Sequence, residues 1–287
     1  MATLGIDVSY YQGNIDWLSI KNSGVKFAIL RLGYTGYAAS KTKAIDPMFE
    51  TYYRNAKAVG IPVGAYYFSR ATTVEEGINE ATFVLKHLEG KQFEYPIYID
   101  VEDTYYQANT SKENLTAAIK AFCATLEDKK YYVGIYASLY WLNNKIDLNQ
   151  LKVYDKWVAQ WSSRNTFGGS YGMWQYSSTG NIGGVTPVDL NYSYKNFPQI
   201  MIDYGLNGYK KKAVEPLPPE VVPDDKDEDN DNNKTDDIVD DKTNNTGNTK
   251  NTNNGTNIVK KGNWLKKFMQ GIVRILKLIV NFIEKIL

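Results

Sequence analysis

A chain of 287 residues is long enough for one large domain with a sizeable core, or for two small ones. Its formal charge of +1, from 33 basic and 32 acidic residues, argues against a general polyanion binder, so no nucleic-acid partner is expected. The single cysteine, Cys123, excludes an internal disulfide, and the single histidine, His87, leaves little for zinc, Ser-His or Cys-His chemistry. No metal or other cofactor is expected, and any catalysis falls to carboxylates.

The chain starts Met1-Ala2-Thr3-Leu4-Gly5-Ile6-Asp7, without a basic n-region or a useful apolar h-region. Synthesis in the cytoplasm, with release by a route other than a signal peptide, is the expectation. Strand patterns follow at Leu4–Val8, Phe27–Leu32, Pro62–Phe68, Tyr95–Glu102 and Tyr132–Ala137, then at Trp157–Trp161, Met173–Tyr176 and Val188–Asn191 with shorter connections. Between the early strands lie helix patterns at Trp17–Asn22, Pro47–Val59, Val74–Leu88 and Lys112–Leu126. Pro47 reads as an N1 proline behind an Asp46 N-cap, with Gly60 closing that helix, and Ser111 as the start of the fourth. Cys123 and His87 both fall on helices, Cys123 as a small buried hydrophobe. Strands separated by 10–15-residue helices indicate βαβ units and a parallel sheet. Eight strands in about 200 residues predict an α/β fold, an irregular (β/α) TIM-like barrel over residues 1–212, with helices shrinking after the fifth strand.

The composition then changes. Residues 213–257 begin with Pro216, Pro218, Pro219 and Pro223 and continue in Asp, Asn, Thr and Lys, with twelve acids against four lysines. Few apolar groups and strong like charge cannot offset ordering entropy, so a disordered linker is expected. An EF-hand is excluded, because no loop there combines glycine at its sixth position with glutamate at its twelfth. In residues 258–287, Leu265, Phe268, Ile272, Ile275, Ile279, Phe282 and Ile286 recur on one face. Lys260, Lys261, Lys266, Lys267, Arg274, Lys277 and Lys285 stand against the single acid Glu284. This is the pattern of a cationic amphipathic helix, too often interrupted by charge to span a bilayer. Its expected partners are an anionic membrane or wall polymer. Self-association through Leu265, Ile272, Ile279 and Ile286 at heptad spacing is the alternative.

The chemistry concentrates in Tyr95-Pro96-Ile97-Tyr98-Ile99-Asp100-Val101-Glu102-Asp103. Strand residues two apart share a face, about 6–7 Å apart at Cα, so Asp100 and Glu102 are expected to point together from the C-terminal end of the fourth predicted strand. Barrel active sites lie at that end. Asp7 ends the first strand and Asp189 lies in the last, and the closing of the barrel would bring all four carboxyls to one mouth. Clustered carboxylates repel, which raises at least one pKa and keeps that group protonated near neutrality. Glycosidic cleavage uses that pairing: one acid for the leaving oxygen, one carboxylate for the cationic centre. A plain acidic strand end, or a divalent-cation site, is the competing reading.

These residues resemble a known family. Gly5-Ile6-Asp7-Val8-Ser9 with Gln12-Gly13, Gly64-Ala65-Tyr66-Tyr67-Phe68, Tyr98-Ile99-Asp100-Val101-Glu102, and Trp174-Gln175-Tyr176 with Val188-Asp189-Leu190-Asn191 are similar to the glycoside hydrolase family 25 lysozymes, muramidases common among bacteriophage endolysins. The resemblance covers residues 3–205 with its motifs in order. It implies an irregular barrel that hydrolyses the β-1,4 bond between N-acetylmuramic acid and N-acetylglucosamine in bacterial peptidoglycan. Glu102 takes the role of proton donor and Asp100 that of its partner, with Asp7 and Asp189 completing an acidic floor. It also implies a phage or prophage origin and action on the wall after release. One departure is Tyr67, where many members carry histidine.

Retention of anomeric configuration is expected, with Asp100 attacking directly or orienting the sugar's own 2-acetamido oxygen. The 23 tyrosines suit sugar stacking or ordinary packing. Tyr66 and Phe68 on one strand face and Trp161 at another strand's end are candidate sugar platforms, with core packing as the competing role. A chitinase of related barrel type is disfavoured, since Tyr95 and Ile97 stand where the longer acidic series of those enzymes would run. Two further classes compete: a non-catalytic glycan-binding barrel, and a membrane-active protein whose effector is the C-terminal helix.

Overall fold

The computed structural model describes residues 2–211. The chain divides into two units, residues 1–218 and 219–287. The second lies outside the described residues, as do the linker expected at 213–257 and the helix expected at 258–287.

Among the described residues, nine strands form one sheet. They are β1 (Thr3–Val8), β2 (Phe27–Thr35), β3 (Lys43–Ile45), β4 (Val63–Phe68), β5 (Ile97–Asp100), β6 (Val133–Ser138), β7 (Asp155–Ala159), β8 (Met173–Ile182) and β9 (Val185–Ser193). Neighbours run β1-β9-β8-β7-β6-β5-β4-β2, and β1 pairs with β2 to close an eight-stranded barrel, leaving β3 as a flap on β2. The helices are α1 (Trp17–Asn22), α2 (Phe49–Ala58), α3 (Val74–Leu88), α4 (Lys112–Asp128), α5 (Leu139–Asn144) and α6 (Phe197–Tyr204). No helix among the described residues is long and apolar enough to cross a membrane.

The barrel follows from strand alternation. Ala28, Leu30, Leu32, Val63, Ala65, Tyr67, Ile97, Ile99, Val133, Ile135 and Val158 face outward and form one buried cluster with the helices. Their alternates Phe27, Ile29, Tyr98, Tyr136, Trp157 and Met173 fill the barrel with a second cluster. Large rings fit inside because glycines face them. A Cβ on Gly5 would stand 2.3 Å from the Phe27 ring, and one on Gly134 would stand 2.3 Å from Tyr98. α6 carries Phe197 against Tyr95 (5.5 Å) and Tyr132 (5.7 Å), which precede β5 and β6, and so covers the N-terminal end of the barrel.

The expected shortening of helices after the fifth parallel strand is present: α5 has 6 residues, and no helix joins β7 to β8. The sheet is not wholly parallel, however. β8 and β9 form an antiparallel pair, and β9 closes antiparallel on β1. A short Gly183-Gly184 turn with positive φ at both residues reverses the chain where a crossover helix would be needed for a parallel return. β3 and α6 were not anticipated, and several strands shift by two or more residues. Thr73, Ser111 and Ser138 accept from Glu76 N, Asn114 N and Trp141 N as N-caps. The second predicted helix starts later than its proline suggests. α2 begins at Phe49, and the Asp46 carboxylate serves the loops instead, accepting from Met48 N (2.9 Å), Tyr10 N (3.1 Å) and Arg31 Nε (2.7 Å).

Candidate active site

The C-terminal ends of the barrel strands bring the four predicted carboxyls together. Asp7, near the end of β1, is directly paired with Asp189 across the antiparallel β1–β9 ladder. Asp100 ends β5, beside Tyr136 of β6. Glu102 lies just beyond it. β5 stops at Asp100, so Glu102 is not a strand residue as expected, although Val101 N still donates to Tyr136 O at 3.0 Å and keeps the chain extended. The strand ends there because Asp103 is drawn into the next loop, where Arg70 Nε (2.8 Å) and the Tyr106 and Gln107 amides donate to its carboxylate.

The four groups feel one another. Burial, then repulsion by Asp189, pushes Asp7 well above the usual carboxylate range, while hydrogen bonds from Asn191 and Gln175 act the other way. Burial, then Glu102 and Asp7, does the same to Asp100, against the pull of Arg31 and Arg70. Burial, then Asp189, lifts Glu102 to about 7. Burial also raises Asp189. Such a cluster cannot be fully ionised at neutral pH; it holds protons, and Glu102 is poised to exchange one there. Asp100 Oδ1 is buried with no hydrogen-bond partner among the described residues. An acceptor so placed suits a ligand donor.

A polar frame holds the floor. Gln175 Nε2 (2.9 Å) and Asn191 Nδ2 (2.7 Å) both donate to Asp7 Oδ2. Gln175 Oε1 accepts from the Tyr136 hydroxyl (3.0 Å) and from Trp161 Nε1 (3.0 Å), and Asn191 Oδ1 from Trp157 Nε1 (2.8 Å). These interlocked bonds fix each amide's orientation and leave the carboxyls little rotational freedom. Tyr136 and Tyr66 both border the cluster. The carboxylates, after burial, hold their phenols well above the ordinary tyrosine range, with Arg31 opposing at Tyr66.

Tyr66 and Phe68 share the inward face of β4 and are half-buried. Tyr66 stands edge-on to Trp157 (6.1 Å), so it packs on the barrel core and borders the mouth at once. Trp161 is not a strand end: β7 stops at Ala159, and the indole lies two residues on, exposed at the rim. Tyr67 faces the helix layer, fully buried, with its hydroxyl 2.8 Å from Thr35 Oγ1. The substitution of tyrosine for histidine there is therefore turned away from the carboxyls.

Tyr136, Gln175, Asn191, Arg31 and the Arg70–Asp103 pair were missed by sequence reasoning. A signal existed for Asn191, which stands two residues from Asp189 on the same strand, and for Gln175, which stands inside a noted motif. Nothing local marks Tyr136, which reaches the site through its register opposite Asp100.

Comparison with known proteins agrees. The family model of Glycosyl hydrolases family 25 matches residues 6–185. Lysozyme M1 of Streptomyces globisporus is 31% identical over 201 residues, which cover 65% of this chain and 66% of that protein. An autolytic lysozyme of Clostridium acetobutylicum is 25% identical over 183 residues, 63% of this chain and 52% of its own. The chain thus spans about two thirds of one relative's length and about half of the other's. The crystal structure of a bacterial lysozyme from Streptomyces coelicolor superposes with a TM-score of 0.58 at 27% identity, covering 68% of this chain and 93% of that one. With its motifs, its barrel and its acidic mouth in agreement with that match, this chain belongs to glycosyl hydrolases family 25.

Proposed function

We propose that the protein is an N-acetylmuramidase, cleaving the β-1,4 bond between N-acetylmuramic acid and N-acetylglucosamine in bacterial peptidoglycan. The observation that carries this reading is the mutual influence of Asp7, Asp100, Glu102 and Asp189 at one barrel mouth, with Glu102 lifted to about 7. Glu102 is the general acid: lifted to about 7, it keeps a protonated population at neutral pH and delivers that proton to the glycosidic oxygen as the bond breaks. Asp100 is the partner carboxyl: burial, then Glu102 and Asp7, oppose its ionisation, and Arg31 and Arg70 act the other way. Its unpaired Oδ1 is matched to the N–H of a 2-acetamido group, which favours orientation of the substrate's own acetamido oxygen over direct attack. Either route retains configuration. Asp7, locked by Gln175 and Asn191, completes the floor with Asp189, and Asp189 sustains the proton affinity of Glu102. Tyr66, Phe68 and Trp161 contact the sugar.

The test is loss of turbidity of purified peptidoglycan with appearance of new reducing ends. Glu102→Gln is expected to abolish both while the domain stays folded. A folded, fully active variant, or new amino groups in place of reducing ends, would refute the assignment. The lytic relatives support the cell wall as the place of action.

Residues 258–287 are proposed, on their sequence alone, to bring the enzyme to an anionic membrane or wall polymer, seven basic residues outweighing one acid. A synthetic 258–287 peptide is expected to turn helical on anionic vesicles; one that stays unstructured and unbound would remove the idea. Sedimentation of the full chain against residues 1–212 tests self-association instead.

A further inference from the structure

The barrel mouth carries exposed aromatic rings on two opposite sides, and their bracing gives them a shared purpose. In the closed ring β1-β2-β4-β5-β6-β7-β8-β9, β2 stands across from β7, and β4 across from β8. Trp161 follows β7 and is tied to Gln175 of β8 through its Nε1 (3.0 Å). Tyr37 follows β2 and Tyr105 follows β5, three residues beyond Glu102, so this pair flanks the end of β4. Trp161 is 63% exposed, Tyr37 63% and Tyr105 61%.

Single exposed rings on a surface need no explanation. These are held in place. The Arg70 guanidinium lies 3.5 Å from the Tyr37 ring centroid and 4.7 Å from that of Phe68, making a column from the half-buried Phe68 out to the exposed Tyr37. Buried Asp103 clamps Arg70 at Nε (2.8 Å). The Tyr106 hydroxyl donates to the Tyr37 backbone carbonyl (2.7 Å), and Lys41 lies 4.6 Å over the Tyr106 ring while paired to Glu76 (2.6 Å). Tyr105 meets Tyr37 edge-on at 6.3 Å and Tyr106 at 4.7 Å. A rigid, pre-set aromatic surface loses little entropy on binding a flat apolar ligand face.

We infer that a peptidoglycan glycan strand crosses the mouth from Trp161 to the Tyr37–Tyr105 pair, and that this pair stacks on a hexosamine beyond those seated over the carboxyls. The inference rests on the muramidase reading for the identity of the strand. Arg70 and Asp103 are positioning residues for that subsite: they hold Tyr37 without touching sugar.

The test is calorimetric titration of the full chain carrying Glu102→Gln with glycan strands purified from peptidoglycan, as disaccharide and as octasaccharide. The octasaccharide binds more tightly in the parent. Adding Tyr37→Ala and Tyr105→Ala lowers the octasaccharide-to-disaccharide affinity ratio about tenfold, and Trp161→Ala lowers it as well. Tyr37→Phe with Tyr105→Phe restores it, because the rings return. Both alanine substitutions keep the Tyr106 bond, which uses the Tyr37 backbone; Tyr105→Ala alone serves if the pair unfolds. An affinity ratio equal to the parent's, or one lost equally in the phenylalanine variants, overturns the subsite. Release of reducing ends by the unmutated chain is read separately. Failure there sinks the muramidase reading, whereas an unchanged affinity ratio sinks only this one.

Discussion

Glu102→Gln is expected to stabilise the fold at alkaline pH while removing activity. An ordinary glutamate titrates near 4.5 and Glu102 near 7, because burial and Asp189 penalise its charge. The unfolded chain therefore releases this proton at lower pH than the folded one. Between those values the folded state binds more protons, so stability falls as pH rises through the window and the full penalty is present above about 7. At ~1.4 kcal/mol per pH unit the gap corresponds to ~3 kcal/mol. Glu102 keeps part of its surface in water, and screening brings this nearer ~2 kcal/mol. Glutamine mimics the protonated form and avoids the penalty, and it also relieves the repulsion on Asp100. For a domain of this size, the melting temperature at pH 8.5 should rise by about 4–8 °C over the parent's, with the difference closing at pH 4. Thermal and urea unfolding at both pH values measure it. A variant less stable at both, or displaced equally at both, would mean that Glu102 is not held in a charge-averse site, and the acid role would lose its physical basis.

Three other outcomes are expected. Activity on peptidoglycan should decline above about pH 7 as Glu102 loses its proton; Asp189→Asn removes its second-largest cause of elevation and should move that alkaline limb to lower pH, an unmoved limb arguing against the coupling. Gly134→Ala would set a Cβ 2.3 Å from the enclosed Tyr98 ring and should cost about 1–3 kcal/mol in urea unfolding; a neutral result would show that the barrel interior yields more than its packing implies. Arg70→Met strands the buried Asp103 carboxylate without its ion pair and should cost about 3–5 kcal/mol, most of it recovered by adding Asp103→Asn, which removes the charge and keeps an acceptor for the Tyr106 and Gln107 amides, if the loss comes from the unpaired charge.

Much of the site was legible because its information is local. Asp7, Asp100 and Glu102 occur at or just past strand ends recognisable from hydrophobic alternation, and Asp189 lies in a recognisable strand. Barrel closure does the rest, since strands one and eight must meet. The βα rhythm up to β6 and the Ser111 N-cap likewise depend on neighbours within a few residues.

What only the tertiary structure decided depends on groups far apart in the chain. The direction of β9 is set by a two-glycine reversal and by its ladder to β1, and it is that antiparallel register which puts Asp189 directly opposite Asp7. Asp46 reads as a helix cap from its neighbours, yet Arg31 from the adjacent strand offers a charge-assisted bond that a cap does not. Tyr136 looks like an ordinary strand residue until its register opposite Asp100 brings it to the site, and only barrel closure gives Gln175 and Asn191 their bonds to Asp7. Sequence spacing specifies which residues share a face. How far a carboxyl is withdrawn from water, and which charges surround it there, follows from closing eight strands into one ring, and that enclosure raises Glu102 to about 7.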